Sequence, residues 1–189
     1  MHHFSTALRA LAACACLTAL DGCTGTRVAT GTAVNPGAVT AADAVTAADI
    51  DQLTGASWTG TLTYLDYTSH VQTTIKSSLL MARLSAQPDG AFAWDMRVGY
   101  ADEPDANSGE TAVLMHGGRV YRDALVLERS VLSDGTVRVV TEQDGQDDRR
   151  AARFRFVYLL GEKQCSIQKL VRFTPEEAFF ERHIYRWNR

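Results

Sequence analysis

The segment AFAWDMRVGY, residues 91–100, decides how the rest of the chain is read. Phe92, Trp94, Met96, Val98 and Tyr100 alternate with Ala93, Asp95, Arg97 and Gly99, the two-residue period of a strand with one buried face. The alternation continues on both sides. WTGTLTYLDYT (58–68) sets Trp58, Leu62 and Tyr64 against Thr59, Thr61 and Thr63, and RFRFVY (153–158) sets Phe154, Phe156 and Tyr158 against Arg153 and Arg155. Turn signals punctuate these runs at Pro88-Asp89-Gly90, Gly117-Gly118, Asp134-Gly135 and Asp144-Gly145, where glycine supplies the positive φ of tight hairpins. Strands are expected at 58–67, 70–76, 78–86, 91–100, 111–116, 119–129, 136–142, 151–160, 164–173 and 178–187. Connections this short favour antiparallel neighbours. The expected fold is all-β: a single antiparallel meander, closed or nearly closed into a barrel of roughly 8–10 strands, because a flat sheet of that length exposes long edges.

Before this domain the composition changes twice. Met1 to Arg9 is a short polar start, Ala10–Leu20 (ALAACACLTAL) carries no charge, and Asp21-Gly22-Cys23 ends it. Eleven such residues are too few to cross a bilayer, which needs about 20, but they suit a cleavable secretory signal. Leu20-Asp21-Gly22-Cys23 resembles a bacterial lipobox, with Asp21 where a small uncharged residue is usual. The resemblance implies a signal peptide over 1–22, palmitate-type acylation of Cys23, and a membrane anchor through that lipid. Leu11-Ala12-Ala13-Cys14 fits the pattern locally but leaves too short a signal core. Thr24, in place of Asp, implies sorting to the outer membrane with the domain facing the periplasm; ordinary signal cleavage, leaving a soluble periplasmic protein, is the alternative.

Residues 23–50 are read as an Ala/Thr/Gly-rich tether, too poor in large apolar side chains to offset its chain entropy. The hexamer AVTAAD occurs there twice, at 38–43 and 44–49, and Asp49 to Leu53 is expected to form a helical turn. The barrel domain is placed at 51–189. The net charge is −3, and no basic stripe points to nucleic acid. Three of the four cysteines lie at or before Cys23, so Cys165 stands alone in the domain. Its parity with Ile167, Val171 and Phe173 reads as an inert core thiol. Lys169 breaks that parity, which suggests a bulge in the strand.

The Gly55-Ala56-Ser57-Trp58 segment at the first strand is similar to the Gly–Trp of lipocalin-like (calycin-type) barrels. The resemblance implies that Trp58 plugs one end, with Arg182 or Arg186 of the last strand packed over it. The chain also resembles a set of bacterial lipoproteins that carry W-x-G-x-L-x-Y-x-D-Y, here Trp58 to Tyr67, a likeness that brings no activity with it.

Catalytic chemistry has no defensible signature. There is no G-x-S-x-G elbow, and His70, His116 and His183 have no metal-ligand spacing. The acidic loop at Asp102, Glu103, Asp105 and Glu110 reads as a turn. EQDGQDDRR (142–150) reads as a hydrophilic hairpin countered by Arg149 and Arg150. No enzyme, cofactor or metal is expected. The inward aromatic face, including Trp94, Met96, Tyr100, Phe154, Phe156 and Tyr158, either lines a cavity for a small hydrophobic ligand or fills the barrel solidly. The first alternative makes the chain a ligand-binding lipoprotein. The second makes it a module that holds an envelope protein partner.

Overall fold

The computed structural model describes residues 44–189 except 86, 88 and 89. Cys23, the signal segment, most of the tether and the Pro88-Asp89 turn therefore lie outside the described residues. Within them, helix α1 (Ala47–Asp51) is followed by ten strands: β1 (Ser57–Asp66), β2 (Val71–Arg83), β3 (Phe92–Tyr100), β4 (Ser108–Met115), β5 (Val120–Tyr121), β6 (Ala124–Val131), β7 (Val137–Asp147), β8 (Arg150–Leu160), β9 (Gln164–Arg172) and β10 (Phe180–Asn188). Each strand pairs antiparallel with the next. β10 then pairs with β1, from Thr59 opposite Asn188 to Tyr64 opposite His183, closing the barrel without a free edge.

The alternation over 91–100 is realised as expected. Trp94, Met96, Val98 and Tyr100 point inward and are at most 8% exposed, while Arg97 faces solvent. Phe92 shares their parity but lies at the rim beneath the Arg83 guanidinium, 5.0 Å from its ring centre. The end where β1 begins is a solid floor. Trp58, Trp94 and Trp187 are fully buried there, and each indole N–H has a partner: Leu53 O at 2.9 Å, Asp51 Oδ1 at 2.9 Å and Ser77 Oγ at 3.0 Å. A buried indole that keeps its hydrogen bond gains large apolar burial without stranding a donor.

Helix α1 caps this floor. Thr46 and Asp49 form a reciprocal capping box, and the Arg129 guanidinium grips the Asp49 carboxylate through two bonds of 2.8 and 2.7 Å. Burial pushes the Asp49 carboxyl up, but the bonds from Arg129 and Thr46 outweigh it and hold the group below its ordinary value. Val45, Ile50 and Leu53 are buried beneath the helix, and burying Ile50 or Leu53 contributes roughly 1.5–3 kcal/mol each. The packed domain thus includes Val45–Ile50, which the sequence reading assigned to the tether, and the helix begins two residues earlier than the turn expected at Asp49. The second AVTAAD copy seats here because Ile50 and Leu53 follow it, whereas the first copy is followed by Ala44.

Four boundaries differ from expectation, each for a local reason. The strands expected at 70–76 and 78–86 are the single long β2. The strand expected at 119–129 is split into β5 and β6 by a tight turn in which Arg122 and Asp123 both adopt positive φ. The β7–β8 turn falls at Asp148-Arg149, also with both φ values positive, rather than at Asp144-Gly145. Gly145 lies inside β7 because the Phe154 ring lies over it, and a Cβ there would come within 2.4 Å of that ring. Finally, β9 has no bulge. Its register against β8 is continuous, and Lys169 keeps the inward parity of Cys165 and Ile167. Cys165 is buried, and burial pushes its thiol up to about 12. No described helix is long and apolar enough to cross a membrane.

Candidate functional site: the mouth half of the barrel interior

The interior changes character along its axis. Inward residues near the floor, such as Val139, Tyr158 and Leu160, are essentially closed to solvent. One step toward the mouth on the same strand, Phe156 is only partly buried. Tyr64 on β1 and Tyr185 on β10 are likewise partly open. These three side chains pack against the core while keeping some exposed surface, and Phe154 and His183, the next inward residues toward the mouth on β8 and β10, are buried. β5 and β6 are short at this end, so the Arg122-Asp123 turn stands partway up the wall and delivers the Arg122 side chain inward.

The polar groups collect in this half. Arg122 pairs with Glu110 at 2.5 Å, and its Nη1 lies 3.5 Å from the Tyr158 hydroxyl. Burial works against the Arg122 cation, but Tyr158, Glu110 and Tyr121 around it more than offset this and keep it charged. The Tyr100 and Tyr185 hydroxyls meet at 2.6 Å across the barrel, and burial raises both phenols. Tyr185 also stacks on Trp187, with ring centres 4.8 Å apart, and meets His183 edge-on at 5.4 Å. One aromatic column on β10 therefore runs from the floor to the polar half.

His183 is 7% exposed, and its Nδ1 has no hydrogen-bond partner among the described residues. Burial, followed by the cations of Lys169, Arg182 and Arg122, pushes the imidazole down to about 3, so it is neutral at pH 7. Nearer the mouth, Asp147 accepts from the Tyr67 hydroxyl and lies 3.6 Å from both Lys169 Nζ and Arg182 Nε. Burial and the Asp147 carboxylate raise the Tyr67 phenol. The register of β10 shifts between Glu181 and His183, leaving Arg182 as the extra residue. Such a bulge re-aims a side chain, and here Arg182 stacks over Tyr67 at 4.1 Å while reaching Asp147. The Lys169 ammonium also sits 3.8 Å from the centre of the Phe154 ring.

The residues read from sequence are thus divided by the structure. Trp94 and Met96 belong to the packed core. Tyr100, Phe156 and Tyr158 border the mouth half, and Phe154 joins Val171, Phe173 and Phe180 in a satellite apolar cluster. Trp58 lies in the floor, but the guanidinium over its ring, at 4.7 Å, is that of Arg189. Arg182 is at the mouth and Arg186 is exposed, because β10 carries the plug position beyond its last strand residue. The polar members Arg122, Lys169, Asp147 and His183 were not assigned to a site from sequence. Lys169 alone left a trace, as a charge on an inward parity.

His70, in the β1–β2 turn at the mouth end, and His116, in the β4–β5 turn at the floor end, are both exposed, and no three His, Cys, Asp or Glu among the described residues are grouped to hold a metal. The hairpin at 142–150 is countered by Arg153, which bonds Glu142 at 3.0 Å and Asp144 at 2.9 Å, rather than by Arg149 and Arg150. The chain is therefore a closed antiparallel barrel with a solid floor and a group of tyrosine and charged side chains in the half toward the other end. No protein-family model matches it, and no curated protein matches it in sequence.

Proposed function

We propose that this chain is a lipid-anchored envelope lipoprotein with a lipocalin-like barrel, and that the barrel binds a small, largely hydrophobic molecule in the mouth half of its interior. The observation that supports the binding reading is a partly open level midway along β8: inward Phe156 is only partly buried, while inward Tyr158 and Leu160 on the floor side and Phe154 on the mouth side are buried. Binding sites of this kind are concave and mostly apolar, with a few placed polar groups. The reading is non-enzymatic and needs no cofactor. The anchor rests on the lipobox-like Leu20–Cys23, and Thr24 supports an outer-membrane address, facing the periplasm.

A second reading, an interaction module that holds an envelope protein, is favoured by one observation. Leu125 and Leu127 on β6 are 52% and 41% exposed, a short apolar stripe on the outer wall.

One experiment separates these readings. Cys23→Ser is expected to move the protein from the membrane fraction to the soluble periplasm, and native mass spectrometry of the released form should show a bound small molecule. Continued membrane association, or release by Cys14→Ser instead, removes the anchor at Cys23. A released form that carries only a second protein favours the module.

A further inference from the structure

We propose that the mouth half of the barrel interior takes an organic anion, one acidic group on an apolar body, with the acid seated between Arg122, Arg182 and His183. This rests on the small-molecule reading above and names the chemistry of its ligand.

Several buried nitrogens in this half lack hydrogen-bond partners. Arg122 Nε, Arg182 Nε and His183 Nδ1 are all buried, and none has a hydrogen-bond partner among the described residues. Buried polar nitrogens without partners are uncommon, because each forfeits its bonds to water. Arg182 Nε has the Asp147 carboxylate 3.6 Å away, so Arg122 Nε and His183 Nδ1 are the two nitrogens that call for a common acceptor, with the Arg182 cation close enough to bear on His183. The charges that bear on His183 are those of Lys169, Arg182 and Arg122, all positive. A neutral imidazole among three cations presents an N–H to an oxyanion while adding no repulsion of its own to the cations. The cations themselves are held in place: Arg122 by Glu110 and by its turn, Arg182 by the Leu65 carbonyl and the Tyr67 ring. A guanidinium fixed in this way has already lost the rotamer freedom that binding would otherwise cost it.

The body of the ligand follows from the lining. Phe156 and Tyr64 face the interior with partly open rings, and Phe154, Phe173 and Phe180 cluster at the rim. The filled floor leaves no room for a tail below Tyr158. The acid therefore lies inward and the apolar body points to the mouth. Asp147 already occupies one side of Lys169 and Arg182, so it acts as an internal competitor for the incoming anion.

Two fluorescent probes that differ by one acidic group test this: 1-anilinonaphthalene-8-sulfonate and its neutral counterpart N-phenyl-1-naphthylamine. The whole purified protein is expected to bind the sulfonate one-to-one, about tenfold or more tighter than the neutral probe, as charge-assisted hydrogen bonds to a desolvated anion imply. Arg122→Gln should weaken the sulfonate about tenfold and leave the neutral probe unchanged. Asp147→Asn keeps an acceptor for Tyr67 but removes the competing charge, and should tighten the sulfonate several-fold while leaving the neutral probe unchanged.

Equal affinity for the two probes in all three proteins would overturn the anion inference and leave the hydrophobic-ligand reading standing. Saturable binding of neither probe would overturn both. A sulfonate affinity that ignores Arg122 and Asp147 would place the probe elsewhere, for example on the β6 stripe, and would also overturn it.

Discussion

Trp94→Ala is expected to destabilise the barrel by about 3–5 kcal/mol, the range for removing a large aromatic side chain from a closed core. Trp94 has no exposed surface, and the residues around it in the floor are equally closed, so the cavity cannot collapse cheaply. The substitution also strands Asp51 Oδ1, which accepts the Trp94 indole N–H, and so loosens the seat of α1. Asp95→Ala, one residue along and on the opposite face, should cost about 0.5 kcal/mol or less. Its carboxylate pairs with Arg97, the two side chains being 33% and 69% exposed, and such surface pairs contribute little. Denaturant unfolding monitored by midpoint compares the two. Comparable losses would contradict the register of β3 and with it the placement of the core.

The second large effect is on pH dependence and centres on His183. Its folded value, about 3, lies well below the 6.5 of an unperturbed imidazole, because burial and three nearby cations oppose its charging. The unfolded chain therefore takes up a proton near pH 6.5 that the folded chain refuses until far lower pH. Stability is unaffected by this group above pH 7 and falls as pH drops below 6.5. Between pH 7 and pH 5 the loss should be roughly 2 kcal/mol, at about 1.4 kcal/mol per unit.

The window is chosen to isolate the histidine. Asp49 and Glu142 are held below their ordinary values and add stability that fades only when their unfolded forms protonate, near pH 4. His183→Phe preserves the ring contact with Tyr185 and should flatten the profile between pH 7 and pH 5. A wild-type profile that is already flat there would contradict the burial of His183 among Lys169, Arg182 and Arg122.

What could be read in the sequence was whatever parity carries. Over Trp94–Tyr100 the alternation is uninterrupted, and it by itself places those side chains inward, where they are buried. The barrel followed from the number of such runs and the brevity of their connections. Turns were legible only where glycine made the positive φ cheap, as at Gly117-Gly118. The turns at Arg122-Asp123 and Asp148-Arg149 reach the same backbone geometry with ordinary side chains, held by the strands on either side, so no local signal marks them. Gly145 misled for a complementary reason: its missing side chain makes room for Phe154 and bends nothing.

The site was harder to read than the fold because it is made of exceptions to the pattern. Lys169 looks like a flaw in an apolar face until Asp147, 22 residues earlier in the chain and across the mouth, is seen opposite it. Arg182 reaches the interior only because β10 shifts register beside it. Arg122 enters through a turn that splits one expected strand into two. Each polar side chain depends on a tertiary feature, and the stretch around it could not announce it. The same holds for α1, where Val45–Ile50 looks like spacer until Arg129 and Gly118 close on it; the Val45 N–H donates to the Gly118 carbonyl at 3.1 Å.

The proposed binding function requires the mouth half of the interior to be an open cup above the solid floor. Thiol accessibility tests it most directly, in a Cys165→Ser background that removes the one cysteine of the domain. Phe156→Cys and Val139→Cys place single thiols on the same inward face, on adjacent strands, one just above the Tyr158 level and one beside it. In folded protein, confirmed by an unchanged circular dichroism spectrum, a water-soluble thiol reagent should label Cys at 156 within about tenfold of its denatured rate. The thiol at 139 should be slower by about a hundredfold or more, since it reacts only through transient opening. Equal protection at both positions would show a barrel filled to its mouth and would contradict the cup.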